Sequence, residues 1–359
     1  MLPALLHATA FAVGLFVQFT GSPLAGAWVF FHLAGCGALL YGGKYPKQQG
    51  VVWHLSLVWL VVLGASAFLF APVRGGAATM WVLAAMPMLA LTLRKEHVRP
   101  YLACFLAVAA LYAAGLVAQM ALNTRTEFFH YEGRHAWPLL DPNNAAAVVN
   151  LALLPCVYLT LFKQARWAIP SALFITALVA TGSKAGFTVA GLGALTFLSV
   201  KLGLDFLLFA TAIGAIQVVG LYLYRPEAIL VMVDSFRDRL PIWEASLPLA
   251  FIRPLQGLGL GTFGHYYAQI RTEQYTVGWH SHNDVLQVAV EMGLPAALLF
   301  CALIAAVFFT TRRANLAAAI VILAIAAQAM VEFQFYIPAV SIPMGLALGC
   351  HILTRKATK

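Results

Sequence analysis

Residues 100–122 read PYLACFLAVAALYAAGLVAQMAL, a run without a single charged side chain. As an α-helix rising about 1.5 Å per residue, it is long enough to cross roughly 30 Å of bilayer hydrocarbon. It also lacks the polar face that a helix on a soluble core needs. Lipid is the solvent this segment is built for.

The rest of the chain repeats the pattern. Apolar runs between charged or turn-rich breaks give roughly twelve candidate spans: 2–19, 24–41, 52–70, 77–93, 100–122, 143–162, 167–182, 185–200, 203–224, 284–309, 314–333 and 336–353. The pair around Lys184 also fits a re-entrant hairpin. Hydrophobic residues make up 62% of the 359 and charged residues 10%, against about 45–50% and about 25% in soluble domains. The expected fold is all-α and polytopic, a single transmembrane domain over residues 1–359. The run 2–19 has no basic residue ahead of it and no small-residue cleavage site followed by polar sequence, so it reads as a retained span. The five cysteines fall inside apolar runs, which suggests neither a disulfide framework nor a CxxC metal site. The net charge of +9 is spread over short loops, so anionic membrane lipids explain it and nucleic acid does not.

Lys44, Lys47, Arg94, Lys95, Arg99, Lys163, Arg166, Lys201, Arg312 and Arg313 all fall in alternate short loops, and Arg355, Lys356 and Lys359 in the tail. By the positive-inside rule both termini are cytoplasmic, and the loop between the ninth and tenth spans, 225–283, lies outside. That loop gathers five arginines, several carboxylates, His265, His280 and His282, a concentration of charge that long functional loops carry. Apolar residues at near-helical spacing from Asp234 to Ile252 predict a helix lying on the membrane surface.

Three segments carry candidate chemistry. In WHSHNDVLQVAVEMGLPAALLF, residues 279–300, Asn283 or Asp284 can cap the helix that follows, and His282 projects just before it, where a general base is shielded from bulk water. The HxH pair lacks further metal ligands at recognisable spacing, and His280 reads as a hydrogen-bonded interfacial residue. In GLGLGTFG, residues 257–264, a literal GxGxxG lacks the strand and helix of a dinucleotide site; it reads as a turn whose backbone NH groups can approach an anion. Lys184 in TGSKAGF, and Asn143 and Asn144 after DP, complete the outer polar set, with Arg125, Arg134 and His135 near it. Asn143 and Asn144 can serve simply as helix caps, and Glu291 and Glu332, inside late spans, as structural partners of basic residues.

These motifs resemble one family. HSHND…EMGLPA is similar to the His-Asn motif of O-antigen ligases and polymerases, RLPIWEASLPLAFIRPLQGLGLGTF (239–263) to their Arg-x-x-x-Trp helix and glycine turn, DPNNAA to an Asn-rich helix entry, and TGSKAGF to a Ser-Arg-Gly turn in which Lys184 replaces the usual Arg. The order of the motifs extends the resemblance over essentially the whole chain, without a further periplasmic domain after the last span. The resemblance implies a GT-C-like glycosyltransferase of the bacterial inner membrane. It would transfer a glycan from an undecaprenyl-diphosphate carrier to lipid A core on the periplasmic face; basic residues can supply the charge without metal or cofactor, and one-step displacement, with no evident carboxylate pair for a covalent intermediate, predicts inversion. It implies catalytic roles for His282 as base and for Arg239 and Lys184 as charge stabilisers. Substrate contacts are implied for Asn283, Arg271, Arg237, Arg134, Asn143, Gly259 and Gly261. Polymerisation onto a second carrier-linked repeat is the alternative within the family. A transporter is the alternative outside it, and would show internal repeats and polar helices at the midplane.

Overall fold

The structure, a computed structural model, describes residues 1–17, 24–41, 50–70, 74–123, 134–139, 141–203, 205–206, 208–214, 237–270, 280–311 and 313–353. Among these, every regular element is helical. In chain order they are α1 (Leu2–Gly14), α2 (Leu24–Tyr41), α3 (Val51–Phe70), α4 (Arg74–Thr92), α5 (Lys95–Ala121), α6 (Pro142–Phe162), α7 (Ala168–Thr181), α8 (Lys184–Leu202), α9 (Leu240–Ser246), α10 (Leu249–Ile252), α11 (Phe263–Ile270), α12 (Asp284–Met292), α13 (Leu294–Phe309), α14 (Leu316–Ala329) and α15 (Pro338–Leu353). Helices α2, α5, α6 and α8 are each long and apolar enough to cross a membrane, and most of the others are shorter apolar helices of the same kind. The chain is a membrane protein. Of the candidate span 203–224, residues 205–206 and 208–214 are described and helical; 204, 207 and 215–224 lie outside the described residues, as do 225–236 and 271–279 of the long loop.

Two helices form the centre. α6 is buried on every side from Asn144 to Leu154, and α15 nearly throughout. Without a hydrophobic effect between helices in lipid, close backbone approach supplies the packing. At Gly345 of α15 a Cβ would sit 2.8 Å from the Met86 carbonyl of α4, and at Gly349 it would sit 2.7 Å from the Leu93 side chain. α4 and α15 therefore run side by side in the same direction. α6 and α8 do likewise: Asn143 meets Ser183 where they start, and Lys201 donates to the Leu161 carbonyl where they end, at 2.7 Å.

Three sequence expectations are corrected. The predicted span 284–309 is two helices, because Gly293 adopts φ +89° and the Leu294 amide is given to the Pro254 carbonyl at 2.7 Å instead of continuing α12. Pro295 in the first turn of α13 has no NH to lose there. The predicted span 314–333 stops at Ala329, which leaves Glu332 in a link over 330–337. The described part of the surface helix 234–252 is likewise two short helices, α9 and α10, parted where Pro248 cannot donate.

Candidate active site

The starts of α6, α8 and α15 and the end of α14 meet at one end of the bundle, and the charged side chains collect there. The N-cap of α6 is Asp141, whose carboxylate accepts from the amides of Asn143 (2.7 Å) and Asn144 (3.1 Å). Capping is thus done by Asp141, and the Asn143 side chain is released for other work. Its Nδ2 donates to Glu332 Oε1 at 2.7 Å, while its Oδ1 accepts from Arg134 Nη2 (3.0 Å) and Ser183 Oγ (2.8 Å). Ser183 in turn caps α8 through the Gly186 amide. Arg134 also donates to the Thr181 carbonyl at 3.0 Å, packed over Gly182, where a Cβ would come within 3.0 Å of it.

Glu332 is the hub. Its side chain is 0% exposed. Oε1 takes the Arg239 guanidinium in a close ion pair, and Oε2 takes His282 Nδ1 at 3.0 Å. Arg239 is further fixed by the Val331 carbonyl at 2.6 Å. Four residues on, Trp243 Nε1 donates to the Ser281 carbonyl at 3.0 Å. Residues four apart share a helix face, so this one face of α9 binds both the carboxylate link and the histidine loop. That is the physical content of the Arg-x-x-x-Trp spacing.

His282 adopts φ +52°, a backbone conformation that only Asn123 shares among the described non-glycine residues. Strain of this kind costs about 1–3 kcal/mol and persists where surrounding contacts over-determine it. Those contacts are visible: Asn283 caps α12 at the Leu286 amide (3.0 Å) and donates to the Met330 carbonyl (3.1 Å), and the Phe333 ring packs edge-on against the imidazole. With Nδ1 committed to Glu332, the lone pair of a neutral ring sits on Nε2. The ring is 27% exposed, open to a substrate.

The remaining expected residues divide. Lys184 is exposed at the first turn of α8, next to Ser183. Arg237 is exposed and Arg239 is the one facing Glu332, which resolves the choice between them. Asn283 spends both ends of its amide on protein groups. Gly259 and Gly261 lie in the glycine turn with positive φ, but its amides turn inward: Leu258 and Gly259 donate to the Val290 and Glu291 carbonyls at 2.8 and 3.0 Å. These donors serve carbonyls at the end of α12, and the Phe263 amide donates to the Glu291 carboxylate at 3.2 Å, so the anion this segment approaches is a side chain of α12 itself. Arg271 lies outside the described residues. His280 stacks on Phe333 with ring centroids 4.2 Å apart and meets Gln287. Burial, with the charge of His282 second, lowers its pKa from 6.5 to about 4. Burial and the nearby Glu332 charge push the Asp141 carboxyl above its usual range.

Sequence reasoning missed Glu332 as the organising group, together with Ser183 and the capping role of Asp141. The available signal for Glu332 was an ionisable residue amid apolar sequence, which is functional by default in a membrane protein. Beside the site, an apolar groove of about 600 Å³ runs between α9–α10 and α12–α13, lined by Leu240, Trp243, Leu247, Phe251, Leu286 and Leu298, with Asn283 at its edge.

An imidazole oriented by a buried carboxylate stands beside guanidinium groups at one end of an apolar helix bundle, an arrangement that can accept a proton next to positive charge. Residues 169–301, a little over a third of the chain, match the family model described as O-antigen ligase, and this stretch of the membrane protein is similar to that family. The match includes Lys184, Arg239, His282 and Asn283 but leaves Arg134, Asn143 and Glu332 outside it, so it is narrower than the whole-chain resemblance read from the motifs. No curated protein matches the chain.

Proposed function

We propose that the protein transfers a glycan from an undecaprenyl-diphosphate carrier to a hydroxyl of lipid A core on the periplasmic face of the bacterial inner membrane. The observation that carries this reading is the Glu332–His282 pair beside Arg239. His282 Nε2 accepts the proton of the acceptor hydroxyl as its oxygen attacks the anomeric carbon. Glu332 holds the ring in the required tautomer and stabilises the imidazolium that forms, the part a carboxylate plays in hydrolase triads. The bond from the anomeric carbon to the diphosphate oxygen breaks, and the carrier diphosphate leaves with the electron pair. Arg134, Arg239 and Lys184 provide positive charge for it, with the buried carboxylate Glu332 between Arg239 and His282. Displacement in one step inverts the anomeric centre.

The apolar groove beside Asn283 suits the first isoprene units of the carrier, leading the diphosphate to Arg239. The basic residues Arg94, Lys163 and Lys201 lie at the other end of the bundle, which agrees with a periplasmic site and cytoplasmic termini.

The test is transfer in detergent: purified wild-type and His282→Ala protein, an undecaprenyl-diphosphate glycan, with and without lipid A core, read by gel shift. Modified lipid A core from wild-type only is the expected result. A ladder built on the donor without acceptor assigns polymerisation instead, and inactivity of wild-type with every matched pair removes the catalytic reading.

A further inference from the structure

A second cluster lies where α1, α2, α4 and α5 converge, and glycan transfer makes no use of it. His7 of α1 and His32 and Cys36 of α2 are buried and bring one potential ligand atom each within 4.8 Å of one another. Cys36 Sγ stands 3.6 Å from His7 Nε2 and 3.7 Å from His32 Nε2. A metal held by sulfur at about 2.3 Å and nitrogen at about 2.0 Å separates those atoms by about 3.6 Å. The three side chains already stand at ligand separations.

Hydrogen bonding alone accounts poorly for the arrangement. The sulfur can give its proton to one imidazole and accept an N–H from the other, but Nδ1 of the fully buried His32 is still left with no hydrogen-bond partner. The approach is also built into the backbone: a Cβ on Gly35 would sit 2.3 Å from His7 Cε1, so only glycine admits the ring. His7 Nδ1 is held by Tyr101 Oη at 2.8 Å and the Pro3 carbonyl at 3.1 Å, the outer hydrogen bonding that orients metal-ligating imidazoles. Thr92 donates to Cys36 Sγ at 3.8 Å. Its neighbour Leu93 packs against Gly349 near the end of α15, whereas Glu332 precedes the start of that helix. At about 1.5 Å per residue, the cluster lies roughly 17 Å along the bundle from the candidate active site.

We propose that His7, His32 and Cys36 bind a single Cu(I) ion that ties α1 to α2. Soft thiolate with imidazole selects Cu(I) or Zn(II). Charge chooses between them, because one thiolate neutralises Cu(I) completely but leaves a positive charge on Zn(II) among apolar helices. Binding replaces the thiol proton: Cys–SH and Cu(I) give Cys–S–Cu(I) and a released proton, with no change of oxidation state.

The test uses the full chain in detergent under reducing conditions, loaded with Cu(I), passed over a Cu(I)-specific chelator and analysed for metal by mass spectrometry, with X-ray absorption for the ligand atoms. Wild-type is expected to retain about one copper per chain with mixed nitrogen and sulfur ligation. Cys36→Ser is expected to lose it, and Gly35→Ala, which keeps all three ligands but displaces His7, to weaken retention at least about tenfold. Elution profile and melting temperature without copper verify that each variant is folded. Wild-type that retains no copper, or no more than a folded Cys36→Ser, overturns the proposal. Stoichiometric zinc with copper excluded overturns the choice of ion.

Discussion

Glu332 has two oxygens and three claimants, Arg239, Asn143 and His282. Replacing it with glutamine keeps the size but removes the charge that stabilises an imidazolium, and the amide can present an NH to His282 and favour the wrong tautomer. Transfer by Glu332→Gln should fall about a hundred- to ten-thousandfold. If the two residues act as one unit, Glu332→Gln with His282→Ala should be little slower than His282→Ala alone, a non-additivity that steady-state rates of the three variants would expose. His280 makes a different prediction. Its pKa is near 6.5 when unfolded and about 4 when folded, so the folded state resists its protonation. Its contribution to stability is whole above pH 6.5 and is lost as the pH falls towards 4, by at most about 3 kcal/mol. Melting temperatures measured across that range should decline more steeply for wild-type than for His280→Asn. His282 stands out in the sequence because it falls just before a helix, and Arg239 through the Arg-x-x-x-Trp resemblance. The role of Glu332 does not, because it pairs with partners 50 and 93 positions away and no local pattern records such a distance.

At the scale of elements, the breaks matter more than the spans. A hydropathy reading sees 284–309 as one apolar run, since Gly293 is neutral on such a scale. The stop and restart are nevertheless written in Gly293-Leu294-Pro295, a helix-ending glycine followed by a helix-starting proline. What the run could not show is where the freed amide goes, because Leu294 bonds Pro254, forty residues earlier in the chain. The glycine turn that this junction receives leaves no room: at Gly257, φ +72°, a Cβ would lie 2.4 Å from the Glu291 backbone. Gly257→Ala should therefore destabilise the protein by about 1–3 kcal/mol or more through strain and the forced shift of α12. A lower melting temperature with transfer reduced in proportion to the displaced His282 loop is the expected outcome. If the turn were instead a flexible flap, the melting temperature would be unchanged.

Across the whole molecule, the apolar bundle and the polar site are joined by the groove between α9–α10 and α12–α13. A polyprenyl donor has one charged end and a long apolar tail, so a protein that binds both must place cations at the head of an apolar channel open to lipid. Leu247 lines the channel and is 54% exposed, which lets it change without a core cavity. Leu247→Asp puts a charge where isoprene units would lie, at a burial value of about 0.8 kcal/mol for each methylene no longer accommodated. KM for the undecaprenyl-diphosphate glycan should rise about tenfold or more, with kcat largely kept, because the head group and His282 are untouched. A donor with a tail too short to reach Leu247 should show no difference between wild-type and variant. An equal loss with both donors would mean that the groove does not hold the carrier, and that the tail lies against another face of the bundle.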